Sequence, residues 1–412
     1  MSRQTAARLR MSSLAVVLLF TLGCDRSPPG PVNVAEIANP SAAGSGQPHL
    51  AVGLDGEVIL SWLEPTPDGY ALKFSSLRAA GWSAARTVAE GDDWFINWAD
   101  IPSVVPITKD LWAAHWLRYQ PDSYFAYDTI LALSSDGGAS WQAPQMLHQD
   151  GTESEHGFVT LFPQAGEVGA VWLDGRNYIQ DGVFLYEDKD GNLLGTGLHY
   201  ARFGATGERL ESIELDDMAC DCCLPDVALA SGGPVVAYRD RTTEEVRDIV
   251  FRRMAGAEWQ AALPLDPDNW VIAGCPINGP AVAASGDSVA VAWFSAADND
   301  PYVRLARSDD AGQHFDAPVE IDATGSFGHV DVAVTEAGET VVSWLRSEAD
   351  GLSLAIRRVS SAGLVGDPQT VAFIDTGRPA DFPQMVYAGQ RLVFAWTDFE
   401  GEGSMKTAVA GL

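Results

Sequence analysis

The 412-residue sequence is short of positive charge: 56 Asp and Glu stand against 26 Lys and Arg, for a formal net charge of −30. So acidic a chain has no basic face for a phosphate backbone, which excludes nucleic acid as a partner. It also opposes adsorption to anionic lipid. Long apolar runs are nearly absent. Leu14–Leu22 is the one that stands out, and it is too short to span a bilayer. No glycine-rich phosphate or dinucleotide loop lies between a strand and a helix, and no nucleophile elbow occurs, which excludes those nucleotide folds and the α/β-hydrolase arrangement. The Asp190-Gly191-Asn192 turn lacks the other ligands of a calcium loop and reads as a hairpin turn. Cysteine is scarce, with five residues in all.

What the N-terminus does contain is a positive flank (Arg3, Arg8, Arg10) before the apolar run, the layout of a signal peptide over 1–23. The run ends in Thr21-Leu22-Gly23-Cys24, which resembles the lipobox of bacterial lipoproteins, with Thr21 where Leu is more usual. On that resemblance Cys24 is lipidated, residues 24–31 form a Ser/Pro/Gly-rich tether, and the protein sits in the bacterial cell envelope. It then meets the membrane only through the lipid, on the periplasmic side or the cell surface. An ordinary cleaved signal with an incidental cysteine is the alternative.

Repeats set the expected architecture of residues 32–412. Seven segments end a short apolar strand in an aromatic residue: Trp62, Trp116, Trp172, Tyr238, Trp293, Trp344 and Trp396, spaced 51 to 66 residues apart. Their surroundings are alike (VILSWLE, WAAHWLR, GAVWLDG, VVAYRDR, VAVAWFS, VVSWLRS, VFAWTDF), and turn residues precede them. Units of four β-prone stretches at this period predict an all-β fold, a single β-propeller of seven blades, with six or eight as alternatives. The last unit has three strands before the C-terminus, so the segment Val32–Ala38 is expected to supply the fourth and close the ring.

Two segments carry a family resemblance. Ser134, Asp136, Gly138 and Trp141 fit S-x-D-x-G-x-x-W, and Ser308, Asp310, Gly312 and Phe315 fit it with Phe in the last place. This resembles the Asp-box, or BNR repeat, of sialidases, where the box is a structural turn between the third and fourth strands. A sialidase site further implies three arginines around the substrate carboxylate, a carboxylic acid, and a tyrosine nucleophile assisted by a glutamate. The family's R-I-P motif of the first blade is missing, since Gln47-Pro48-His49 stands there.

In a propeller, ligands meet the loops joining strands two and three and those joining consecutive blades. The first set holds the catalytic candidates Arg118, Arg176, Arg239, Arg241, Glu244, Arg247 and Asp248, along with Asp174. The second holds Trp94, Trp98, His156, Trp270, Asn278, His329 and Arg378. With Asp174 these form the ligand-binding candidates, a mixture of aromatic rings and charges suited to sugars. The bland reading is that loop arginines pair with their own neighbours.

Four of the cysteines fall in two neighbouring interblade loops, Cys220, Cys222 and Cys223 in one and Cys275 in the next. In an oxidising compartment the default is disulfides, Cys220–Cys223 with Cys222–Cys275 being one feasible arrangement. A soft-metal site for copper or zinc and a reactive thiol pair are the alternatives. Three functions follow: a propeller that binds a glycan, a peptide or an envelope protein and needs no cofactor, a sialidase-like glycosidase, or a thiol or soft-metal handling protein.

Overall fold

The computed structural model describes residues 27–120, 126–349, 351–374, 382–398 and 403–412. The proposed signal segment, Cys24 and Arg378 lie outside them. Seven antiparallel sheets of the four-stranded type form a ring, a seven-bladed β-propeller. The first six blades begin at Gly46, Ser103, His156, Asp226, Ala281 and Ser326, each running outward from its innermost strand. In the seventh, Gln384–Ala388, Arg391–Asp398 and Ser404–Gly411 are completed by Val34–Ile37, with Val34 opposite Ala410 and Ile37 opposite Thr407. The two ends of the chain thus close one sheet, and no open edge is left in the ring.

The aromatic residue that ends each second strand explains why the units stack. None of the seven is more than 5% exposed. Among the described residues the apolar core divides into seven clusters, one in each gap between neighbouring blades. A blade cannot bury both faces alone, so the ring is the smallest unit with a complete core. The one long spacing, from Trp172 to Tyr238, has a local cause. Blade 3 carries an extra hairpin, Ile179–Gln180 with Val183–Phe184, between its second and third strands.

Polar clasps join the innermost strands. Asp226 accepts hydrogen bonds from Val227 N (2.8 Å) and, across the gap, from Val282 N (2.7 Å). Asp331 does the same with Val332 N (2.7 Å) and Met385 N (2.6 Å). The turn at Ser134 and the one at Ser308 share a single bonding pattern. The serine hydroxyl meets the aspartate two residues on at 2.8 Å and accepts from the glycine N–H four residues on, at 2.8 and 3.0 Å. That glycine has a positive φ in both, +74° at Gly138 and +78° at Gly312, a conformation that favours glycine. Trp141 then packs edge-on against Phe74, and Phe315 against Phe251, each in the preceding blade.

Candidate functional site: the rim of blades 2 to 5

One face of the ring carries the loops between second and third strands and the interblade loops, and over blades 2 to 5 it gathers two clusters. The first lies between blades 2 and 3. His156 opens the innermost strand of blade 3, Asp174 closes the next, Asp128 stands on the third strand of blade 2, and His148 and Asp150 belong to the connecting loop. The His148 and His156 rings stack with centroids 3.5 Å apart and planes within 4°. Asp150 reaches both, 2.7 Å from His148 Nδ1 and 3.0 Å from His156 Nε2. Asp128 lies 3.2 Å from His148 Nε2. Asp174 accepts from Trp172 Nε1 (2.7 Å) and from Arg176, at Nε (2.8 Å) and at Nη2 (2.5 Å).

Burial pushes all three carboxyl groups up, yet the net shift of each is downward. For Asp150 its contacts with His148 and His156 prevail, for Asp174 the Arg176 fork, and for Asp128 the bonds from His148 and Gln120. His148 moves the other way. Burial lowers it, but Asp128 and Asp150 more than offset that and hold it above its ordinary value.

The second cluster lies one gap further round. Cys220 and Cys223 are buried, Cys222 is half-buried and Cys275 is exposed. The loop is pinned to blade 4 by Cys220 N donating to Arg239 O (2.9 Å) and Arg241 N to Met218 O (3.1 Å). Sγ of Cys220 lies 3.2 Å from that of Cys223, and the sulfurs of Cys220, Cys222 and Cys223 all lie within 4.8 Å of one another. Cys275, from the next interblade loop, interacts with Cys222. Its loop is held by Asn278, whose Oδ1 accepts from His329 N at 2.7 Å. A side chain at Gly279 would run into the Leu224 backbone, so only glycine lets this loop close on the first.

Arg247 Nη1 donates to Cys220 Sγ at 3.1 Å. Hydrogen bonds from Cys222 and Cys223, with the charges of Arg247 and Arg239, hold the Cys220 thiol well below the usual range. The thiol of Cys222 is pushed up by its bonds to the sulfurs around it, and that of Cys223 by burial. Cys220 is therefore the first of the three to become a thiolate and its neighbours are the donors.

The arginines expected from the sequence do not converge. Arg239 is 1% exposed, and its Nε, Nη1 and Nη2 donate to the carbonyls of Asn278, Arg247 and Phe294 at 2.9, 2.6 and 2.7 Å, over the ring of Trp270. This catalytic candidate is placed as a buried brace between main-chain carbonyls. Arg241 and Arg247 share Glu245 (2.6 and 2.8 Å), and Arg241 also reaches Tyr178 OH at 3.1 Å. Arg176 is taken up by Asp174, and Arg118 lies 3.8 and 3.7 Å from Asp93 and Asp128. Glu244 is exposed and bonds only within its own turn, while Asp248 accepts from Asn269 N and Trp270 N. Its carboxyl is pushed up to about 6 by burial and by Asp268.

The aromatic platform expected for a sugar is corrected too. Trp94 stacks on Trp116 in the core, Trp270 is buried, and Trp98, Phe382 and His329 stack on one another. Exposed rings occur on the extra hairpin and just after it, at Phe184 and Tyr186, and elsewhere at Tyr119, Phe327 and Phe373. Asp128 and Asp150 escaped the sequence reading. The only signal for Asp150 was the stretch from His148 to His156, dense in titratable residues, and Asp128 lies outside it.

No family model matches the chain, and no curated protein matches it. Solved structures do. A protein of unknown function from Dyadobacter fermentans is 12% identical, with 92% of this chain and 99% of that one covered, at a TM-score of 0.50. The polysaccharide lyase Uly1 is 8% identical over 87% and 88%, at 0.52. A Hadza microbial sialidase is 14% identical over 80% and 66%, at 0.43. At such identities the likeness is one of fold alone: the chain is built as a β-propeller of the kind those proteins contain.

Proposed function

We propose that the protein is a cell-envelope binding propeller whose rim holds a soft metal ion, copper(I) or zinc(II), among Cys220, Cys222, Cys223 and Cys275. The observation that carries this reading is the meeting of four sulfurs from two interblade loops, three of them within 4.8 Å, with a guanidinium on Cys220. Thiolates are the ligands that select such ions, and Arg247 favours the thiolate before the ion arrives. A sialidase-like reaction finds no support in the arginines, each of which is engaged by its own loop or by the core.

A second reading is favoured by the 3.2 Å contact of Cys220 with Cys223 and the bonding of Cys222 to Cys275. Two disulfides in that pairing would make the cluster a brace and leave a glycan, peptide or protein partner as the ligand of the face. The full chain carrying Cys24→Ser, purified from the envelope without reductant, separates the two. Free thiols with one equivalent of copper or zinc are expected. No free thiol and no metal would establish the brace.

A further inference from the structure

We infer that the rim between blades 2 and 3 is a separate binding site for a divalent ion, zinc in the first instance, with His156 Nε2, Asp150 Oδ2 and Asp174 Oδ1 as its ligands. It stands whether or not the cysteines hold metal. The argument starts from where protons can be. His156 Nδ1 faces two main-chain carbonyls, Ser154 at 3.1 Å and Tyr127 at 3.3 Å. A carbonyl only accepts, so Nδ1 carries the hydrogen and, in the neutral ring, the lone pair is on Nε2. That lone pair faces Asp150 Oδ2 at 3.0 Å and Asp174 Oδ1 at 3.5 Å. Carboxylate oxygens are acceptors as well. Three ligand atoms therefore converge where His156 and Asp174 are fully buried, with Arg176 N and Nε also donating to Asp174 Oδ1 and Thr152 Oγ1 to Asp150 Oδ2.

Arg176 Nε, 2.8 Å from Asp174 Oδ1 and 3.6 Å from Asp150 Oδ2, answers the two carboxylates and leaves the histidine nitrogen to Asp150, Asp174 and the Ser154 hydroxyl at 3.4 Å. A second ring proton answers one carboxylate at a time. A divalent ion answers all three acceptors together. Tetrahedral bonds of ~2.0–2.2 Å place ligand atoms roughly 3.3–3.6 Å apart, close to the two separations found here, and the three atoms lie within 4.8 Å of one another.

Charge leaves room for an ion. Asp150 and Asp174 bring two negative charges against the one positive charge of Arg176, while Asp128 is met by Arg118 at 3.7 Å and His148 at 3.2 Å. The outer partners are those that orient metal ligands: a carbonyl on the far nitrogen of the histidine, Trp172 and Arg176 on Asp174, and His148 Nδ1 on Asp150.

The test uses the full chain with Cys24, Cys220, Cys222, Cys223 and Cys275 changed to Ser, stripped with chelator and titrated with zinc by calorimetry. One zinc is expected, with a shift of the His156 Nε2 resonance in 15N spectra of the imidazoles. His156→Gln and Asp150→Asn in the same background should weaken zinc by more than the ~10- to 100-fold that loss of an outer partner costs. If the five-serine chain does not fold, the same imidazole spectra are recorded on the Cys24→Ser chain with its other thiols alkylated. Absence of zinc binding with His156 Nε2 unmoved, or unchanged affinity in both variants, would overturn the inference.

Discussion

Buried carboxyl groups of two kinds sit in this propeller, and they shift in opposite directions. The clasps between innermost strands, Asp226 and Asp331, receive only main-chain N–H groups, and burial pushes them up to about 6 and about 8. The rim carboxylates, Asp128, Asp150 and Asp174, are buried as well, but imidazole or guanidinium groups hold them down. Burial is common to both, so the partner decides the sign. A clasp needs an acceptor and works as well, or better, when neutral. A rim carboxylate is kept ionised, the state a cation site requires. The difference separates what joins the blades from what can bind.

The largest expected effect comes from removing a rim carboxylate. Asp174→Ala strips Trp172 Nε1 of its acceptor and Arg176 of its fork in a spot closed to water. A charge left without its buried partner costs about 3–5 kcal/mol, to be read from urea unfolding in chelator. A loss below 1 kcal/mol would mean that the rim is solvated and that its contrast with the clasps is false.

A smaller effect, with a distinct pH dependence, is expected at a clasp. Asp331 has a folded pKa near 8 against an ordinary 3.8. The folded chain therefore holds its proton where the unfolded chain has lost it. The stabilisation is complete below about pH 4 and is lost as pH rises through 8. Asp331→Asn keeps one acceptor of two, so at pH 4 it should cost about 1 kcal/mol. That deficit should narrow by pH 8 as the wild type is forced to ionise. The rim carboxylates have the opposite slope, since their stabilisation is present above the ordinary carboxylate range and is lost as pH falls through their lowered values. His148 adds a third term, present below about pH 6.5 and lost as pH rises through its raised value. A deficit at Asp331 that widened with pH would show that the clasp is ionised.

The two kinds of carboxylate differ in how far the sequence reveals them. The ring itself was legible, because Trp62 and its six counterparts mark one place in each blade and Val32–Ala38 resembles a fourth strand. The sulfur cluster was legible as well, since both cysteine segments precede a blade and neighbouring blades bring them together. What failed was direction. A loop position does not say whether a side chain turns out or back, and Trp94, Trp270 and His329 are buried. Asp150 could not be picked out among 56 acidic residues. Its role depends on His156 and Asp174, which the fold brings to it from two strands of the next blade.

The smallest expected effect lies where neither kind of burial applies. Asp310 accepts from Ser308 Oγ (2.8 Å), from His314 N (2.8 Å) and from His314 Nδ1 (2.6 Å), at an exposed turn. Its carboxyl is held well below the usual range, first by the His314 side chain. Judged by that shift alone it would rank with Asp174. Yet His314 is 87% exposed, and water and salt screen the pair. His314→Ala should leave the melting temperature unchanged within error. Asp310→Ala should lower it measurably, because the turn loses its acceptor for a main-chain N–H. Equal losses from the two variants would mean that the ion pair, and not the turn geometry, carries the stabilisation. A lowered carboxyl at the surface would then report on stability as one at the rim does.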